Sequence, residues 1–268
     1  MSSIDLAPYR GLHGAELAQH SDIGTCFICE GRYLVEEAIR AAEQGMLRFV
    51  SLLCDSSQIE EWKDKTPHQA RLLTLDTDEL NSLVGFNFHR GVLCCCAVPE
   101  APLETQLSQA SRLLVLPHLD NVDNLGQLSR TAAALAIDGI LIGRGPNPFA
   151  RRCVRVSMGA VWKIPILKSN YPDHILDKWL QHCPNVKSEI VGTAATSNAE
   201  IFWEWMPAPR TALVLGAESH GLDSFWQTKC TKHIRIPLER QIDSLNISAA
   251  GAILMSKMNL IQGNNQQT

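Results

Sequence analysis

Three stretches in the second half of the chain carry residue types that could do chemistry. In Asn121–Ala134 (NVDNLGQLSRTAAA), Arg130 lies in a helical segment whose next residues, Thr131–Ala134, are all small. A long cation there reaches either solvent or one specific partner, and a guanidinium near a helix start suits a phosphate or a developing oxyanion. Asn124 stands at the head of that segment, where a side-chain amide can cap free N–H groups. In Ala212–Leu222 (ALVLGAESHGL) an apolar strand ends at Gly216, whose missing Cβ allows close approach of a ligand. Glu218 follows at the strand exit and Gly221 permits a return turn; a plain β-turn with an incidental acid explains the same residues equally well. In Ile234–Met255 the strand HIRIP stops at Pro237, and a polar loop leads into SLNIS. Ser244 there reads as an N-cap, with Asn246 and Ser248 opening a helix, and capping alone is the simpler account. The following AAGA, Ala249–Ala252, lets that helix lie against another backbone.

These stretches sit where strands hand over to loops or helices. Apolar runs at SRLLVLP, GILIG, Ile164–Lys168, Glu189–Ala194, ALVLG and HIRIP read as strands, and Leu125–Ala136, Asp173–His182 and Leu245–Leu260 as helices. Such alternation implies a mostly parallel sheet with helices on both faces, and ligands bind at the carboxyl ends of its strands. The N-terminal part repeats the theme with strands at CFICEG, Leu47–Cys54 and GVLCCCAV, a helix over Arg32–Gln44 closed by Gly45, and a capping box from Asp76 to Glu79. Residues 1–24 are weakly patterned. PEAPLE, with two prolines and two acids, divides the chain. The resulting organisation is a smaller domain over 1–98, a linker over 99–111, a larger domain over 112–262 and a polar tail over 263–268.

Composition removes several classes of function. The 268 residues are 45% hydrophobic and 19% charged, enough for a well-buried core and unlike a disordered or fibrous chain. A net charge of −4 argues against a globally basic nucleic-acid binder but leaves room for a local basic patch. No apolar run is long enough to span a membrane, and no secretory signal is evident. Nine cysteines, mostly inside apolar runs, suit buried thiols in a reducing cytoplasm better than a disulfide framework. Cys26 and Cys29 form a lone CxxC without a second pair, so no metal is expected. GRGPNP lacks the third glycine of a dinucleotide fingerprint, GAESHG lacks the spacing of a hydrolase elbow, and no phosphate loop occurs. The residues alone lead to a neutral, backbone-rich pocket suited to a ligand with an adenine and modest charge.

The motifs NLGxxxRTA, LGxExxGL and IPxxxxxxSLNxSxA, in that order, resemble those of the SpoU/TrmH family of RNA ribose 2′-O-methyltransferases, of the SPOUT class. The resemblance covers essentially Leu113–Met258, including VRVSMGAV from Val154. FICEG…LVEEAI and GFNFHRGVL resemble the family's substrate-binding domain. The resemblance implies an α/β protein: a C-terminal SPOUT-type domain with a parallel sheet and a deep trefoil knot, a rare exception among folds, preceded by an L30e-like α/β domain. It further implies S-adenosyl-L-methionine as cofactor, tRNA or rRNA as substrate, and a homodimer. Position by position it makes Arg130, Asn124, Glu218, Ser244 and Asn246 the catalytic set, and Leu215, Gly216, Ala217, Ile236, Leu238 and Leu245 the cofactor contacts. Ser219 departs from the family's usual glycine. A catalytically silent RNA-binding or ribosome-assembly protein on the same fold is the alternative.

For an acidic chain, phosphate contacts must come from clusters. The densest is Arg144, Arg151, Arg152 and Arg155, just after the strand that follows Arg130, with His89 and Arg90 as a second grip.

Overall fold

A computed structural model describes residues 6–12, 17–194, 199–217 and 220–265, with side chains through residue 259. In chain order the elements are β1 (Ala18–His20), β2 (Gly24–Glu30), α1 (Arg32–Glu43), β3 (Phe49–Asp55), α2 (Ile59–Trp62), β4 (Arg71–Leu75), α3 (Thr77–Val84), β5 (Val92–Ala97), α4 (Glu104–Ser108), β6 (Arg112–His118), α5 (Val122–Ala134), β7 (Gly139–Arg144), α6 (Arg151–Val156), β8 (Ile166–Lys168), α7 (Pro172–His182), β9 (Ser188–Thr193), β10 (Glu200–Ile201), β11 (Arg210–Val214), α8 (Ser224–Lys229), β12 (Lys232–Arg235) and α9 (Ile247–Asn265). They form two units, Met1–Glu100 with Asn147–Lys163, and Ala101–Pro146 with Ile164–Thr268. The segment Asn147–Lys163, which the sequence places inside the larger domain, therefore belongs to the N-terminal unit.

The N-terminal unit is built on a five-stranded mixed sheet, ordered β1-β2-β5-β3-β4. Alternation of side chains across β2 and β5 explains the cysteines. Residues three apart in a strand point to opposite faces, so Cys26 packs with Ile28, Leu53, Leu93 and Cys95 on one face. Cys29 turns to the other face, where it meets Cys94 and Cys96, the three sulfurs within 4.8 Å of one another and all buried. The CxxC is thus a strand pattern and not a ligand pair. All nine cysteines are free. The expected helix and caps are present: Leu34, Val35, Ala38 and Ile39 of α1 are buried, and Asp76 with Glu79 makes a full capping box. Glu30, only 6% exposed, collects Arg90 at 3.2 Å, Arg151 at 2.7 Å and Arg155 at 3.7 Å. That cluster ties the 147–163 segment into its unit, because a buried carboxylate needs its cations.

The second unit carries a seven-stranded sheet, ordered β10-β12-β9-β11-β6-β7-β8, and every pairing in it is parallel. Leu113–Leu116, Ile140–Ile142 and Ala212–Val214 are wholly buried, as continuous apolar strands must be when helices cover both faces. The half of 99–111 nearest this unit is not a free linker. Glu104–Ser108 is a helix that buries Leu107, and the carbonyls of Ser108 and Ala110 accept hydrogen bonds from Arg210 (2.7 Å) and the Trp179 indole (2.8 Å). Five residues are too short a run to show helical periodicity in sequence. At the other end, α9 continues as backbone helix through Asn265, so the first half of the expected polar tail, 263–265, is helical.

Candidate active site

The helix bearing Arg130 is capped by Asn121, whose side chain accepts the Asp123 N–H at 2.8 Å. Asn124, which the sequence puts at the cap, instead lies in the first turn and is 3% exposed. Its side-chain oxygen accepts from Asn246 Nδ2 at 3.1 Å and from the Ser248 hydroxyl at 3.2 Å. The closing helix likewise begins three residues after Ser244: Asn246 occupies the cap, accepting the Ser248 N–H at 2.8 Å. The first and third motifs are thus joined through Asn124, Asn246 and Ser248, and Ser248 is a participant whose role the sequence assigns only to capping. Gly251 closes the same interface; a Cβ on it would sit 2.5 Å from Leu128 Cδ2. The close packing that AAGA foreshadows is thus made against side chains, those of Leu128 and Leu215.

The second motif folds back on itself at the end of β11. Ala217 and Gly221 exchange N–H···O bonds of 3.1 and 2.8 Å, and Gly221 has φ +68°. A Cβ on Gly216 would lie 2.2 Å from the Gly221 carbonyl carbon. Gly216 is therefore required by the returning chain itself, a reason the sequence does not give. Glu218 and Ser219 lie outside the described residues.

Around this turn the ends of β9, β11 and β12 and the loop before α9 enclose a cavity of about 570 Å³. All six expected cofactor contacts, Leu215, Gly216, Ala217, Ile236, Leu238 and Leu245, line it, as does Ser244. Thr193, Ala194, Gln227, His233, Arg235 and Asp243 also line it and are missed by motif reading. Thr193 and Ala194 could have been found from the strand Glu189–Ala194, since its end neighbours that of β11 once the sheet is known to be parallel. The size falls within the range of small-molecule sites, and the wall mixes apolar side chains with strand-end backbone. Arg235 Nε is buried with no hydrogen-bond partner among the described residues, so one donor in this wall is available to an acceptor-bearing ligand.

Arg130 and Asn124 do not line the cavity. Arg130 is exposed, and no partner is found for it among the described residues, so of the two readings of a long cation on this helix, the solvent-facing one holds in the monomer. Of the arginine cluster, Arg144 stands exposed at the end of β7, whereas Arg151 and Arg155 are engaged with Glu30 in the other unit. Arg90 shares that carboxylate, and His89 and Arg152 are exposed.

Residues 111–256 match the model of the SpoU rRNA Methylase family. This chain belongs to that family. Among curated relatives, the 23S rRNA (guanosine(2553)-2′-O)-methyltransferase RlmP of Bacillus subtilis is 28% identical over 233 residues, covering 85% of this chain and 86% of that protein. An uncharacterized tRNA/rRNA methyltransferase of Mycobacterium tuberculosis is 31% identical over 182 residues, covering 66% and 62%. Among solved structures, the SpoU methyltransferase AviRb of Streptomyces viridochromogenes, crystallised with AdoMet, superimposes with a TM-score of 0.74 at 20% identity, covering 89% and 91%. That last likeness establishes the fold. The α/β class with a parallel sheet, inferred from strand–helix alternation, agrees with it.

Proposed function

We propose that this chain transfers the methyl group of S-adenosyl-L-methionine to a ribose 2′-hydroxyl in a structured rRNA or tRNA. The supporting observation is the cavity at the parallel sheet's carboxyl edge: it is lined by the second and third family motifs, and the first is hydrogen-bonded to the third beside it. The relative from Bacillus subtilis is named for the same reaction.

S-adenosyl-L-methionine, when bound, supplies a methyl group already activated on a sulfonium. The residues of the chain then have three tasks. Leu215, Gly216, Ala217, Ile236, Leu238 and Leu245 form the walls, and the buried Arg235 Nε donor answers an acceptor. Asn124 holds Asn246 and Ser248, keeping the helix start that follows Ser244 in place. Arg130 orients the ribose and stabilises its forming alkoxide. A free-base role for its guanidinium would cost about 7 kcal/mol or more at neutral pH, so electrostatic stabilisation is the favoured role. Glu218 completes the set by resemblance.

In this reading the N-terminal unit is an L30e-like RNA-binding domain, the second unit is threaded in a trefoil knot, and the active species is a symmetric homodimer in the cytoplasm. Among the described residues no helix is long and apolar enough to cross a membrane. Calorimetric titration with S-adenosyl-L-methionine, followed by mapping of 2′-O-methyl marks in total RNA with and without the protein, tests the proposal. Cofactor binding and one lost mark in its absence are the expected results. No cofactor binding, with or without RNA, would instead favour the silent RNA-binding alternative.

A further inference from the structure

Cavity and motifs occupy only part of the carboxyl edge of the sheet. The same edge continues over β6, β7 and β8, where the chain presents cations and stacked rings that the proposed reaction does not use. His118 ends β6, pairs in register with Arg144 at the end of β7, and its ring lies 5.9 Å from that of His220, which lines the cavity. Lys168 ends β8 and donates its ammonium to the Gly145 carbonyl, beside Arg144. Beyond it, the Ser169 N–H bonds the Ile142 carbonyl at 2.9 Å and the Tyr171 N–H bonds the Ser169 hydroxyl at 3.1 Å. The turn is packed tightly onto β7, since a Cβ on Gly143 would meet Pro172 Cγ at 3.1 Å. So Tyr171 is held by a short, bonded turn next to Arg144.

Tyr171 is 65% exposed, more than the other exposed rings, Tyr33, Trp203 and Phe225. It stacks on His174, one turn into α7, with ring centroids 5.6 Å apart and planes inclined by 12°. One tyrosine face is thereby backed by the imidazole and the ring is fixed in orientation. The edge also carries acids: Asp120 is bonded to His118 at 2.7 Å, and Asp173 lies 3.6 Å from His174. Each is matched to a histidine, while Arg144 and Lys168 are both exposed, Lys168 resting its ammonium on the Gly145 carbonyl.

A flat ring backed by a second ring, beside two cations on one strand edge, is the combination that holds unpaired nucleotides: stacking is indifferent to base identity, and cations follow the phosphates. We propose that the carboxyl edge of β6–β8 is a track for single-stranded RNA, in which an unpaired base stacks on Tyr171 and its flanking phosphates meet Arg144 and Lys168. This rests on the proposed function, and it adds where the substrate strand runs. Three strand spacings of about 4.8 Å separate β11 from β8, so the platform lies roughly 14 Å from the cavity, within reach of a few nucleotides. It also moves the main RNA contact away from Arg151 and Arg155, which Glu30 engages.

The test measures fluorescence anisotropy of a labelled oligoadenylate of about twelve nucleotides against the full chain between 50 and 200 mM salt, in parallel with calorimetric titration of S-adenosyl-L-methionine. Tyr171→Ala should weaken RNA binding about fivefold or more while Tyr171→Phe stays near wild type. Arg144→Ala should lower the slope of log affinity against log salt by about one. A 2-aminopurine base placed in the oligonucleotide should lose fluorescence on binding wild type and not on binding Tyr171→Ala. Cofactor affinity should be the same in all variants, so a wild type that binds cofactor while Tyr171→Ala keeps full RNA affinity would overturn the track and leave the methyltransferase reading standing. Failure of the wild type to bind the oligonucleotide at 50 mM salt would overturn it too. A wild type that binds RNA through Tyr171 but never binds cofactor would instead sink the catalytic reading alone.

Discussion

Arg130 and Asn124 lie on one helix but answer to different forces. Arg130 is exposed and unpartnered among the described residues, so its removal costs the fold almost nothing. Arg130→Ala should therefore melt within a degree or two of wild type and bind cofactor normally, yet lose methyl transfer by a hundredfold or more, as measured by tritium transfer to RNA. Asn124 is buried and fills two hydrogen-bond roles across 122 and 124 residues of sequence. Asn124→Ala should destabilise the protein by about 1–3 kcal/mol in urea titration, because Asn246 and Ser248 lose a buried acceptor. An unchanged midpoint would show that these bonds are incidental. That Asn124 belongs to a motif was legible in NLGxxxRTA, but its partners Asn246 and Ser248 were not: an asparagine near a helix start reads as a cap until the actual cap, Asn121, is seen.

Elements were legible wherever their pattern was long. The parallel strands announced themselves as uninterrupted runs of Leu, Ile and Val, and α1 through its buried stripe. Short elements were not, as Glu104–Ser108 shows, and neither was the turn after β11. There the sequence shows a glycine, while the structure shows that the glycine serves the chain's own return. Gly216→Ala should displace the Ala217–Gly221 bridge and abolish cofactor binding in calorimetry; an alanine variant that binds normally would refute this. The strands β2 and β5 make a different prediction. Burial pushes the thiols of Cys94 and Cys96 well up, and that of Cys230 to about 12. Eight of the nine thiols are buried and so shielded whatever their charge, and Ellman's reagent at pH 8 should titrate about one thiol in the native chain, the partly exposed Cys183, and all nine after denaturation.

At the scale of the molecule, family membership was legible in three motifs, and the ancestry of the cavity with it, since those motifs sit at strand ends. The proposed homodimer should scatter light as twice 29.6 kDa at micromolar concentration. The division of the chain was not legible, because PEAPLE looks like the single border between halves while VRVSMGAV, part of the family resemblance, folds with the first half. The polypeptide leaves the second unit after β7, contributes α6 to the first, and returns as β8. Arg151→Ala should accordingly lower the stability of the N-terminal unit by about 1–2 kcal/mol, with Arg90 remaining to offset part of the Glu30 charge. The same threading governs how the protein can be taken apart. A fragment ending at Glu100 would keep Glu30 and Phe27 but lack Arg151, Phe149 and Trp162, the groups that cover them. Such a fragment should be insoluble or molten, whereas 1–100 fused through a glycine–serine bridge to 147–163 should fold cooperatively, making a discontinuous gene design the route to studying the first unit alone.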